Sequence, residues 1–434
     1  MATENRASRI IEARKQGQTK DLAFLLLSIV FQLVLGYFFG HAYDMKIFMA
    51  TGYMVASGRD PYSLPDLSTV FHNPAFQGLN SIGYPPPWPL VLGLVYLLSY
   101  AWTHNFLAYN LAIKLPIIAA NICLAYLVRD ILKDQGAGPE LVHKAWLFLL
   151  LNPFLFYFTT AWGQFDSLVV VLTMLALYLL YKHRFVASSI LLALAIALKP
   201  TSVPVVLAAV LYLWGAPSKR MVGYCARFVF SLVVFIVLPF LIFGWSASPI
   251  YHGWNAQFTV SGGMSLAMLY VLFSDTSLLP GNWWLLGVAW LPAVFIAAAF
   301  LQRGEHGLLN LFQQSLVLVL VFYLTRTWLS EQNISLVLPL VLILVYMDKL
   351  PRLILHAVWI LPLIFTIFNT SPAQLLFPIL PRLMAQLLQL AQTYRLERLW
   401  ASMAVIIPWQ VAGWWIVIDY YRSKSAHKGK PVLA

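Results

Sequence analysis

Residues 162–184 read WGQFDSLVVVLTMLALYLLYKHR, and the order of these residues decides the fold. Between Asp166 and Lys182 every side chain is aliphatic, aromatic or a lone hydroxyl. A helix of that composition presents no face to water, and its length approaches the roughly 30 Å hydrocarbon core of a bilayer. One flank offers an amide, a carboxylate and aromatic rings; the other is Lys182, His183 and Arg184. Basic residues collect at the cytosolic ends of membrane helices. The segment reads as a span with Lys182 in the cytosol and the Trp162–Ser167 end outside.

Working outward, comparable apolar runs fall at 22–40, 87–101, 106–128, 145–160, 186–198, 202–214, 228–244, 283–300, 308–324, 334–347, 353–368 and 403–420. With 61% hydrophobic and only 10% charged residues in 434, the chain has too little polar surface to clothe a soluble globule. The pattern predicts an all-α, polytopic transmembrane helix bundle of about 11–13 spans. A single membrane domain over 22–421 is expected between basic tails at 1–21 and 422–434, both cytosolic, in a cell membrane. The run from Leu22 to Gly40 is too long for a signal-peptide core and lacks a small-residue cleavage site, so it is read as a retained helix. The polar stretch 41–85 is expected outside, with short interfacial helices around 44–57 and 66–76 split by the turn-forming Gly58-Arg59-Asp60-Pro61.

Lys219/Arg220/Arg227, Arg303 and Lys349/Arg352 mark further cytosolic loops. One stretch conflicts with them. A cytosolic loop at 129–144 needs an odd number of crossings before it, and runs 87–101 and 106–128 supply one too many. Either 87–101, opened by three prolines, is a short re-entrant piece, or that loop is external. Run 264–275 is too short to span comfortably, and 372–392 reads as an interfacial helix. The net charge of +12 sits mostly in the tails and short loops, so it reports topology and not nucleic-acid binding, though a basic face for anionic lipid is compatible with it. The two cysteines, Cys123 and Cys225, form no disulfide framework and no metal-ligand spacing.

Ionisable side chains near membrane depth are costly unless paired or hydrated, which makes them functional candidates. They gather at the outward ends: Asp44, Tyr84, Gln164, Asp166, Lys199, His252 among Tyr251 and Trp254, Arg326, Glu331 and Gln332. Asp44, just past the first helix, suits a base that works at the water boundary, or else caps the next short helix. Gln164 and Asp166 suit sugar hydroxyls, or else cap their own helix. Arg326 suits a phosphate by its bidentate fork, with Lys199 and His252 behind it. Lys199 alternatively snorkels to the interface, His252 alternatively belongs to an aromatic belt, and Glu331 alternatively pairs with Arg326. Tyr84-Pro85-Pro86-Pro87 sets an extended lead-in to the following run.

At these residues the chain resembles a known group. A helix, an outer-face Asp44, Gly58-Arg59-Asp60-Pro61-Tyr62, Tyr84-Pro85-Pro86, Trp162-Gly163-Gln164-Phe165-Asp166-Ser167, Lys199-Pro200 and Glu331-Gln332 occur in an order similar to the GT-C superfamily of integral-membrane glycosyltransferases. Within it the likeness is to glycosyltransferase family 87 and the polyprenyl-phosphate-mannose-dependent mannosyltransferases. The resemblance implies a polyprenyl-phosphate-linked sugar donor, the mannosyl one by that likeness alone, no cofactor and no required metal. It implies an inverting transfer on the outer face to a glycan, glycolipid or protein hydroxyl, with Asp44 as the catalytic base. Many members carry two adjacent acids there; this chain has the lone Asp44 in His41-Ala42-Tyr43-Asp44-Met45, which leaves the second role to Asp166 or Glu331. The rival readings are a transporter or flippase of a lipid-linked or polar solute, and a non-catalytic scaffold. The first is disfavoured by the lack of a visible inverted repeat and by polar residues gathered at one face.

Overall fold

The computed structural model describes residues 2–256, 258–274 and 276–428. The side chains of 2–18, 253–256 and 425–428 lie outside that description, and with them those of Arg6, Arg9, Arg14, Lys15, Trp254 and the basic tail beyond Lys424. The chain is an all-α polytopic bundle. Its helices are α1 (Ala2–Phe38), α2 (Ala42–Ala56), α3 (Pro87–Leu98), α4 (Phe106–Asp134), α5 (Pro139–Leu150), α6 (Asp166–Tyr181), α7 (Phe185–Leu198) and α8 (Val203–Tyr212). They continue as α9 (Ser218–Leu232), α10 (Ser248–Ala256), α11 (Met268–Phe273), α12 (Trp290–Ala299), α13 (Leu308–Leu324), α14 (Val337–Tyr346), α15 (Arg352–Phe368), α16 (Pro381–Thr393) and α17 (Arg395–Lys428). Among the described residues, six segments are long and apolar enough to cross a membrane, and six shorter apolar helices lie between them.

The starts of these helices are written locally. Asn105 accepts hydrogen bonds from the Leu107 and Ala108 amides at the head of α4, and Asn152 accepts from Phe154. Prolines open α3 and α5, where a missing N–H costs nothing.

The parity conflict resolves at α3. Its 12 residues rise about 18 Å, short of the ~30 Å a crossing needs, and the helix packs as a hairpin against α2. Discounting α3, the helix ends sort into two sets. One set is tied by ion pairs: Asp21 with His143 (3.6 Å), Asp134 with Lys182 (2.6 Å) and Glu305 with Arg220 (3.1 Å). The other contains 40–84, 162–166, 199, 245–252, 258–265, 326–331 and 369–375, linked by contacts such as Gly40 N to Leu375 O (3.0 Å) and Ser246 N to Asp60 Oδ2 (2.9 Å). Gly262-Gly263 pairs in parallel with Trp328-Leu329, so closely that a Cβ on Gly263 would sit 2.1 Å from the Leu329 carbonyl oxygen.

Other expectations need correction. The segment 66–76 is not a helix: His72 takes a left-handed φ of 48° and only Pro74–Phe76 forms a short 3-10 turn. Two proline-bounded Asx turns, at Asp66 and Asn73, divert the backbone from helical bonding. The run 264–275 shrinks to the six residues of α11, and α16 buries no side chain, as an interfacial helix should.

The seam between α1, α4 and the end of α5 is polar at membrane depth. Ser28, Gln32, Asn121, Thr159 and Thr160 form one buried network, with Asn121 Nδ2 donating to Gln32 Oε1 (2.7 Å) and Thr159 Oγ1 (2.8 Å). Thr159 and Thr160 belong to the π-turn Phe156–Ala161, which loosens the helix just before Trp162. Lys114, fully buried on α4, donates from Nζ to the carbonyls of Gly36 (3.2 Å), Phe39 and Ala161 (3.1 Å). One turn earlier, Asn110 Nδ2 donates to Gly36, Tyr37 and Phe39. Two helix C-termini are thereby clamped by one side of α4. Replacing Lys114 by Met takes the side-chain donor from the Ala161 carbonyl and leaves those of Gly36 and Phe39 with Asn110 alone, an expected loss of about 1–3 kcal/mol. Thermal unfolding in detergent should show a midpoint lowered by several degrees; an unchanged midpoint would refute the clamp.

Candidate active site

The clamp sets two short chain segments side by side. His41, following α1, donates its amide to the Trp162 carbonyl (3.2 Å) and stacks its ring on the Trp162 indole at 4.1 Å and 11°. Gly163 holds a φ of 97° and lies against Met45 and Lys114; a Cβ there would be 2.5 Å from Met45 Cε. Only glycine fits both demands.

Asp44 sits in the first turn of α2 with its side chain 14% exposed. It does not cap that helix: His41 is the residue in the capping position, and Asp44 Oδ2 accepts Trp162 Nε1–H at 2.6 Å. His41 Nδ1 is 3.1 Å from the same oxygen, within ion-pair range but off the line of a directed hydrogen bond. Burial works to raise the Asp44 pKa, yet the contacts with His41, Trp162 and Gln164 outweigh it and hold the carboxyl below its ordinary range. Asp44 is ionised at neutral pH.

Across the same space Lys199 Nζ donates to both oxygens of Asp166 at 2.8 Å, with the two side chains 8% and 3% exposed. Asp166 is therefore a buried ion-pair partner and not a helix cap, and Lys199 does not snorkel. Tyr84 lies between the pairs. Its hydroxyl points at Gln164 Oε1 (3.5 Å, a weak contact), and its ring stands 5.8 Å from Lys199 Nζ. Asp44 and Asp166 both lie close enough to raise the Tyr84 pKa further, after burial itself.

A sequence profile of glycosyltransferase family 87 matches residues 83–326, more than half of the 434 residues. The chain belongs to this family. No curated protein matches it. Family membership makes the chain a glycosyltransferase, which takes a sugar donor and an acceptor. The matched stretch contains Tyr84, Gln164, Asp166, Lys199, His252 and Arg326; Asp44, Glu331 and Gln332 lie outside it.

Arg326 follows the end of α13, which is Leu308–Leu324. Tyr323 on α13 is within electrostatic range of both Asp166 and Arg326, and its hydroxyl donates to the Asn333 carbonyl (2.9 Å). Ser265 Oγ holds the Arg326 carbonyl at 2.5 Å. Glu331 and Gln332, both buried, open the 3-10 turn Glu331–Leu336. Glu331 accepts from Asn369 Nδ2, so its carboxyl partner comes from the α15 end and not from Arg326. His252 stands apart: it is exposed on α10 and touches Tyr251 edge-on at 5.6 Å.

Residue-by-residue reading passed over Lys114, Asn110, His41 and Asn369. A signal for the first existed, because Lys114 is the only charge between Phe106 and Val128. None existed for Asn369, whose role depends on a contact 38 residues away in sequence.

Two expectations follow. Trp162→Phe removes a donor that favours the Asp44 carboxylate, so the acid limb of the kcat/KM–pH profile should move to higher pH; an unshifted limb would show that this limb does not report Asp44. Burial pushes the Glu331 carboxyl up to about 7 against its backbone and Asn369 bonds. Its folded pKa exceeds the ordinary 4.5, so the stability it contributes is complete below that value and is lost as pH rises through about 7. The detergent melting midpoint should fall between pH 5 and 8, and Glu331→Gln should flatten that fall.

Proposed function

We propose that this glycosyltransferase moves a sugar, mannose by the family likeness, from a polyprenyl-phosphate donor to an acceptor hydroxyl on the external face, with inversion. The observation that carries the proposal is the ionised Asp44, pinned by Trp162 at a partly open position beside the Asp166–Lys199 pair. Asp44 accepts the proton of the attacking hydroxyl as that oxygen bonds to the anomeric carbon. The bond to the phosphate oxygen breaks through an oxocarbenium-like state, and the electron pair leaves with the lipid phosphate. Lys199 has three N–H donors, of which Asp166 engages two, and the third remains for a phosphate oxygen. Arg326, whose guanidinium can grip two phosphate oxygens at once, is assigned a share of the developing negative charge.

A lipid tail also has a place in this reading. An apolar groove of about 470 Å³ runs between α1 and the π-turn, lined by Phe31, Leu35, Phe39, Phe156, Tyr157 and Ala161 among others. Its upper end, at Phe39 and Ala161, adjoins His41 and Trp162. A polyprenyl chain lying there would deliver its phosphate toward the polar vestibule. The basic set of helix ends then faces the cytosol, in keeping with the positive-inside bias.

Purified protein in detergent, given a radiolabelled polyprenyl-phosphate mannose and a glycan acceptor, should form a glycosidic bond of inverted configuration. Asp44→Asn should lower turnover by about 100-fold or more while donor affinity stays within a few-fold. Near-normal turnover in that variant would remove Asp44 from the chemistry. Solute movement in sealed vesicles with no new bond would favour a transporter.

A further inference from the structure

The turn Glu331–Leu336 carries more polar side chains than its own contacts use. Gln332 is 8% exposed, Asn333 7% and Ser335 0%, yet Gln332 Oε1, Asn333 Oδ1 and Ser335 Oγ have no hydrogen-bond partner among the described residues. A buried polar oxygen left without a donor costs about 1–3 kcal/mol, and three in one turn need a reason. Side chains at i and i+3 eclipse in a 3-10 helix, so Gln332 and Ser335 project from the same side of it. The turn is held firmly. Tyr323 donates to the Asn333 carbonyl, Asn369 donates to Glu331, and the turn packs on α6, whose first residue is Asp166.

An amide offers an acceptor and two donors side by side, and a hydroxyl offers one donor and two acceptors. Two adjacent sugar hydroxyls match the amide and Ser335 together, whereas a phosphodiester, which only accepts, could take a bond from the Ser335 hydroxyl but leaves the two amide oxygens unmet. The turn lies in the same loop as Arg326, six residues upstream of Gln332, and Tyr323 contacts the turn while sensing Arg326. Resting on the proposal that Arg326 meets the donor phosphate, we infer that Gln332, Asn333 and Ser335 form the specificity wall for the donor sugar ring, reading a vicinal pair of its hydroxyls. The acceptor sugar, approaching from Asp44, is not read by this turn.

The test is a cycle between protein and substrate. Wild type, Gln332→Met and Ser335→Ala are assayed with intact polyprenyl-phosphate mannose and with its single-position deoxy analogues. Gln332→Met should lose on the order of 10- to 100-fold in kcat/KM with the intact donor. Wild type should lose a similar factor with one particular deoxy donor. The two losses together should be no worse than either alone, and deoxygenating the acceptor should cost both proteins equally. Ser335→Ala, a small change that keeps the fold, should show the same pattern more weakly. Losses that multiply at every ring position in both variants would overturn the inference while leaving the transfer reaction intact. Absence of transfer by wild type from any polyprenyl-phosphate sugar would overturn the functional proposal itself, and the specificity wall with it.

Discussion

The polar end of this bundle depends on one side chain of α4. Lys114 brings an ammonium group into the protein interior, where an unsatisfied cation is among the costliest things to bury. It is tolerated because three carbonyls converge on it: Gly36, Phe39 and Ala161. These oxygens belong to the last turns of two helices, where the macrodipole is negative and the backbone has no further amide to meet. Asn110 shares the Gly36 and Phe39 carbonyls and adds that of Tyr37. The result is a fixed distance between the end of α1 and the end of the π-turn. That distance places His41 against Trp162, and Trp162 against Asp44.

Charge is arranged in layers above this clamp. At depth the seam of Ser28, Gln32, Asn121, Thr159 and Thr160 is polar but neutral, and its members satisfy one another. Higher up, Asp166 and Lys199 form a buried pair of no net charge. Such a pair gives little stability over an apolar replacement, but it orients a Lys donor and an aromatic wall of Tyr84 and Phe165. Of Asp44 and Asp166, it is Asp44 that keeps a lowered pKa and partial access to water. The proposed role of Asp44 as base rests on that asymmetry between an accessible carboxylate and one held in a buried ion pair.

Much of the site was legible because it is a matter of sides. Asp44, Tyr84, Gln164, Asp166, Lys199 and Arg326 occur at alternate turns of the chain, and basic loops mark the opposite turns. Parity then puts the first group together without any knowledge of packing. Partners were not legible in this way. Glu331 meets Asn369, Asp44 meets Trp162 across 118 residues, and His252 faces out of the group altogether. Each of these depends on how far a helix is rotated about its axis, and an apolar stripe on every face leaves that rotation unmarked.

Hydrophobic length and the placement of Lys and Arg, both readable along the chain, determined that this protein is a multi-pass helical bundle with a polar set of helix ends opposite a basic one. They do so because transfer of backbone into hydrocarbon admits only helices here, and because charge resists crossing. Tertiary structure decided the rest: that α3 is a hairpin arm and not a crossing, that Lys114 clamps two helix ends, and that Trp162 delivers its indole N–H to Asp44. Hydrogen bonds are short and directional, so they are settled only when helices from distant parts of the chain have packed and brought donor and acceptor within 3 Å of each other.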